Sequence, residues 1–170
     1  MPEDFHVDMS EKLYKGRNVG IACMGVSSKA HFGCALKGNL IKLIRDRLGK
    51  GNIQTEQAKL YAICIYLLIK DHLPEIKRLI ICNDEAFNYV KEYLSLLLGD
   101  EYPKGFEIIN ISEFGKALGR RIRSPADNYS KHYRKRALNK SKWEEGIRLN
   151  VAEVNYRIIE HEWKRLEKEV

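Results

Sequence analysis

Between Thr55 and Leu98 the chain changes its hydrophobic period twice, and that change limits the folds open to it more than any other feature. Ala58, Tyr61, Ala62, Ile65, Leu68 and Ile69 recur at three- and four-residue spacing, which predicts a helix from Thr55 to about His72, closed by Leu73-Pro74. Lys77 to Asn83 (KRLIICN) is an apolar run too short for anything but a strand. From Ala86 to Leu98 (AFNYVKEYLSLLL) helical spacing returns, stopping before Gly99. A buried strand between two apolar helices belongs to a sheet covered by helices, so an α/β domain is expected.

Other short apolar runs supply more strands. Asn18 to Val26, His31 to Leu36 and Leu40 to Arg45 are separated by the turn signals Ser27-Ser28-Lys29 and Lys37-Gly38-Asn39, which predicts an antiparallel meander. Phe106 to Ile111 (FEIINI) reads as a fifth strand. Arg123 to Asn128 reads as a loop, because Ser, Pro, Asp and Asn favour turns. A last helix is expected from Trp143 or Ile147 to the C-terminus, with Val151, Val154, Ile158, Ile159, Trp163 and Leu166 as its apolar face. At 170 residues the chain suits a single domain with its own core.

The position of the charge matters more than its total of +7. Between Lys116 and Lys142 ten Lys and Arg residues face one acid, Asp127, whereas the remaining residues carry 20 basic and 22 acidic side chains. In this segment Arg120, Arg121, Arg123, Lys131, Arg134, Lys135, Arg136, Lys140 and Lys142 are interleaved with Tyr133 and other aromatic residues, a mixture suited to neutralising phosphates and stacking on bases. A solvated face paired with acids elsewhere, or an acidic protein partner, would also satisfy such a charge.

Cys23, Cys34, Cys64 and Cys82 lie inside apolar runs without C-x-x-C spacing, as expected of buried free thiols in a reducing compartment. The acidic start MPEDFHVDMSEK is unlike a secretory signal, and no apolar stretch nears the roughly 20 residues of a membrane span. The expectation is a soluble cytoplasmic protein. Its Lys, Arg and Glu richness is of the kind common in thermophile proteins.

Asp84 and Glu85 end the strand Lys77 to Asn83, at the sheet edge where open α/β sheets bind ligands. They equally suit the start of the following helix, whose dipole favours acids there. Gln57-Ala58-Lys59-Leu60-Tyr61-Ala62-Ile63, the strand end Ile80-Ile81-Cys82-Asn83-Asp84, the pair Gly20 to Gly25 and His31 to Leu36, and Asn150-Val151-Ala152-Glu153 together resemble motifs of the ribonuclease H-like superfamily, over about Asn18 to Trp163. The resemblance implies a five-stranded mixed sheet, three antiparallel strands first, flanked by helices. It makes Asp84 the counterpart of a metal ligand, puts Lys59 where the family has a catalytic Glu and Met24 where it has its first Asp, and gives Glu153 as a counterpart of the fourth acid.

Two-metal phosphodiester hydrolysis needs several carboxylates converging on cations about 4 Å apart. With Met24 and Lys59 at two acid positions, the resemblance implies a domain that binds RNA, DNA or their hybrid, with catalysis degenerate or absent. Lys59 could pair with Asp84 in place of a metal. The alternative is a nuclease dependent on Mg²⁺ or Mn²⁺, with Asp84 as metal ligand and Glu56, Glu85 and Glu153 completing the site. A third reading is an interaction module, compatible with a homo-oligomer formed through apolar helices. His31 and His161 belong to no acid or Cys pattern of catalytic or metal-site spacing, which favours structural or surface roles.

Overall fold

The computed structural model describes residues 1–82, 85–138 and 149–169. The N-terminal stretch, polar on average, is a strand, β1 (Glu3–Met9). Phe5, Val7 and Met9 are buried in the main core, while His6 and Asp8, also buried, fall on the opposite face, as the two-residue period of a strand requires. β2 (Val19–Gly25) and β3 (His31–Leu36) follow as expected.

The run Leu40 to Arg45, expected as a strand, is part of a helix, α1 (Gly38–Leu48). As a strand it would place Lys42 between Leu40 and Ile44 on one face and Arg45 beside Ile41 and Leu43 on the other. The helix instead collects Ile41, Ile44 and Leu48 on a single buried stripe and leaves Lys42 and Arg45 exposed. The antiparallel trio is therefore β1, β2 and β3.

Next come α2 (Ile53–Ile69), β4 (Ile76–Ile81), α3 (Phe87–Leu98) and β5 (Glu107–Asn110). The cap of α2 is Asn52, whose side-chain oxygen accepts the amides of Gln54 and Thr55 (2.8 and 3.4 Å). α4 (Ile111–Ala117), α5 (Asp127–Leu138) and α6 (Tyr156–Glu169) complete the described elements. The sheet order is β3-β2-β1-β4-β5, with β4 and β5 parallel to β1.

The sheet is covered on both faces. Phe5, Val7, Ile21, Cys34, Leu79 and Ile81 pack with α1, α2, α3 and α6 in the main core. α2 is buried almost all round because it lies between the sheet and the outer pair α3 and α6. On the second face Ala22 and Met24 meet Ala126 and Tyr133. α5 comes unusually close there, since a Cβ on Gly20 would collide with the Ser130 carbonyl and the Arg134 amide.

α6 starts at Tyr156; Trp143 and Ile147, the expected starts, lie outside the described residues. Ile159, Trp163 and Leu166 are buried as expected, but Val151 precedes the helix and is exposed. Its neighbours pair with β3, the Gly33 amide donating to the Asn150 carbonyl (3.0 Å) and the Ala152 amide to the Gly33 carbonyl (2.8 Å), which covers part of the sheet edge. Cys23, Cys34 and Cys64 are buried, Cys82 is half-buried, and all four are free thiols. Among the described residues no helix is long and apolar enough to cross a membrane.

His6 carries a pH dependence. The residue is 4% exposed and its Nδ1 has no hydrogen-bond partner among the described residues. Burial brings its pKa down to about 4, against a weaker opposing pull from the Asp4 carboxylate. The unfolded chain, with an imidazole pKa near 6.5, therefore binds more protons between about pH 6.5 and pH 4, and stability falls as pH drops through that window. At pH 5 the loss relative to pH 7.5 is expected to be about 1–2 kcal/mol after allowance for solvent screening, or a few degrees in Tm. Thermal unfolding of His6→Phe should show a smaller pH 7.5-to-5 difference; an identical difference would refute the assignment.

Candidate functional site

β1 and β4 run side by side in parallel, and the Cys82 amide donates to the Val7 carbonyl (3.1 Å), so the two strands end together. From that point the chain leaves β1 toward β2 on one side and leaves β4, through α3, toward β5 on the other. Such a divergence opens a crevice beyond the carboxyl ends of the strands. Asp8 lies there on the second face, 3% exposed, with its carboxylate accepting the Met9 amide (2.8 Å).

The segment after β5 builds the mouth. α4 is capped by Asn110, whose side chain accepts the Ser112 amide (2.8 Å), and just past its C-terminus comes Gly119, where φ is +72°, a conformation glycine adopts without strain. The chain turns back, the Arg120 amide donating to the Gly115 carbonyl (3.0 Å). Residues 120–123 thus lie across the strand ends before the Ser124–Ala126 turn leads into α5. The result is a cleft of about 960 Å³ with Asp8 and Cys82 at its floor. Ile111, Gly115 and Ile122 give it an apolar wall, and the exposed Lys116, Arg120, Arg121 and Arg123 stand around the opening.

Asp127, in the first turn of α5, also lines the cleft. Its carboxylate lies 4.0 Å from Arg123 and 3.5 Å from Lys131. Among the described residues no carboxylate lies within ion-pairing distance of Lys116, Arg120 or Arg121. The basic segment is thus divided between two surfaces. Arg120, Arg121 and Arg123 line the cleft, and Lys131 and Lys135 are exposed on the outer side of α5, with Arg134 and Arg136 half-buried. Lys140 and Lys142 lie outside the described residues.

Tyr133, expected to stack on bases, is fully buried. Its hydroxyl donates to the Asn150 carbonyl (3.3 Å), accepts the Asn150 amide (3.2 Å) and lies 3.1 Å from His31 Nδ1. Burial pushes its pKa up. The ring locks α5 to β3 and is closed to a ligand.

None of the expected carboxylates among the described residues lines the cleft. Glu56 is buried and accepts the amides of Lys50 and Gly51 (2.9 and 3.4 Å), closing the loop before α2. Glu85 accepts the Leu13 amide (3.2 Å). Glu153 is exposed and accepts from Asn155 (3.2 Å). Asp84 lies outside the described residues. Lys59 points its ammonium at the rings of Trp163 and Tyr93 (4.7 and 5.5 Å from the centroids), and the pairing with Asp84 expected of it falls on a residue outside those described. Burial lowers its pKa, with Glu167 and Glu56 pulling the other way. His161 lies 3.7 Å from Glu162 on an exposed face of α6, a surface role of the kind expected.

Among the described residues no three His, Cys, Asp or Glu side chains gather as ligands for a metal. They do not by themselves form a site for Mg²⁺ or Mn²⁺, so no chemical step is drawn through a metal ion. Lys116 lines the cleft as part of the basic segment, and Asp8, Cys82, Ile111, Ile122 and Asp127 line it without any expectation from sequence motifs. The alternation of Phe5, Val7 and Met9 around His6 and Asp8 is the signal that places Asp8 at a strand end. Comparison with protein-family models, with curated proteins and with solved structures finds no match.

Proposed function

We propose that this chain is a nucleic-acid-binding protein of ribonuclease H-like fold, which grips the sugar–phosphate backbone in the cleft beyond β1 and β4. The observation that carries the reading is the placement of Lys116, Arg120, Arg121 and Arg123 around one recess, three of them without a carboxylate partner among the described residues. Unpaired cations held together cost self-repulsion that a polyanion relieves, and phosphodiester chains are the common polyanion of cells. An antiparallel trio followed by two parallel, helix-linked strands is in keeping with the fold the resemblance implies.

A second reading, a metal-dependent nuclease, is favoured by one residue. The resemblance sets Met24 at the first acid position by counting β2 as the first strand. With β1 as first strand, Asp8 stands at its end, in the cleft. The opposing observation is that Glu56, Glu85 and Glu153 are all engaged away from it.

One assay separates the two. Labelled single-stranded, duplex and hybrid substrates are incubated with the protein in Mg²⁺, in Mn²⁺ and in chelator, and binding and cleavage are scored together. Binding that persists in chelator without cleavage is the expected result. With four cations on phosphates the affinity should fall about 50-fold between 50 and 200 mM salt, from a slope of about 0.7 per contact. Cleavage that vanishes in Asp8→Asn and Asp84→Asn would establish the nuclease instead. No binding at 50 mM salt would overturn both and leave an acidic protein partner, whose dependence on salt is weaker.

A further inference from the structure

We infer that the ligand of this cleft is single-stranded, with about two or three nucleotides entering the recess and duplex excluded; the inference rests on the nucleic-acid reading above. The ground is shape. Duplex phosphates lie on the outside of a stiff rod, so a protein that holds a duplex backbone presents its cations on an open or gently curved surface. Here Lys116, Arg120, Arg121 and Arg123 line a half-open recess of about 960 Å³, within the roughly 300–1,000 Å³ of clefts that hold small ligands.

The lining of the hollow suits a base that is neither paired nor stacked. Ile111 and Ile122 offer apolar contact to a ring face. In a duplex the faces are stacked, so this contact cannot form inside such a recess. With a base inserted, the phosphates on either side of it fall at the mouth, where the cations stand. The wall selects an unpaired strand, and the mouth supplies the affinity.

The test uses the intact protein and fluorescence anisotropy at 50 mM salt, with a labelled hexanucleotide, a labelled blunt-ended duplex of related sequence, and an unlabelled trinucleotide as competitor. The expected result is at least tenfold tighter binding of the hexanucleotide than of the duplex, and full displacement of the hexanucleotide by the trinucleotide. Ile122→Trp, which fills the hollow and leaves the mouth cations in place, should weaken hexanucleotide binding at least tenfold. Duplex binding as tight as single-strand binding, or failure of the trinucleotide to compete, would overturn the inference while leaving the nucleic-acid reading intact. If neither polymer binds, both fall. Should Ile122→Trp not fold, the trinucleotide competition on the unaltered chain decides alone.

Discussion

Replacing Arg120, Arg121 and Arg123 together by glutamate is expected to weaken single-strand binding about 10³-fold at 50 mM salt and to reduce the salt slope by about two. Three charge-assisted contacts to phosphate, each worth about 1.5 kcal/mol net at the low end, sum to about 4.5 kcal/mol, and each 1.4 kcal/mol is tenfold. The substitution should not unfold the protein, because all three side chains are exposed and surface changes of this kind stay within about 0.5 kcal/mol each. Asp127→Asn should move affinity the other way by several-fold. Its carboxylate lies within reach of both Arg123 and Lys131, and neutralising it frees both for phosphate. Losing an acid from the first turn of α5 costs about 0.3–1 kcal/mol of stability, so its Tm should fall slightly while its affinity rises. Titrations at several salt concentrations measure both effects, with circular dichroism as the check on folding. A triple variant that is folded and loses less than about tenfold would place the binding surface elsewhere.

What could be read from the sequence follows from which forces leave a local trace. α2 and α3 were legible because Ala58, Tyr61, Ala62, Ile65, Leu68 and Ile69, and Val90, Leu94, Leu97 and Leu98, recur at helical spacing, β4 because its apolar run is too short for a helix, and Leu73-Pro74 and Gly99 mark the ends of the two helices. β1 was hidden because its three apolar residues, Phe5, Val7 and Met9, alternate with polar ones inside an acidic stretch that is polar on average. That omission moved every strand of the meander by one place. α1 was mistaken for a strand because Leu-Ile-x-Leu-Ile fits both periods until Leu48 is counted. The density of positive charge was plain, but its division between a cleft and the outer side of α5 depends on the turn at Gly119 and on how α5 meets the sheet. Glu56 resembled a ligand only because the loop amides it accepts lie just ahead of α2, beyond the helical pattern in which it was read.

Gly20→Val should be the most damaging single substitution near the cleft, although Gly20 touches no ligand. Its Cβ would collide with the Ser130 carbonyl and the Arg134 amide, both backbone atoms of α5, and backbone cannot swing aside as a side chain can. Overpacking of ordinary cores costs about 1–3 kcal/mol; with rigid atoms opposite, the cost should reach about 3 kcal/mol, a fall of about 6–12 °C in Tm for a chain of this length. Gly51, with no heavy atom within 4 Å of its would-be Cβ and no positive φ, is the control, and Gly51→Ala should unfold within a degree or two of the parent. The same collision reaches the cleft. If α5 is lifted from β2, the Tyr133 hydroxyl leaves Asn150 and His31, and Asp127, at the start of the same helix, shifts against Arg123. Single-strand affinity in Gly20→Val, measured well below its own Tm, should therefore drop about tenfold or more without the loss of one cation. Intact affinity in a destabilised Gly20→Val would separate the cleft from α5 and leave its geometry to α4 and the strand ends alone.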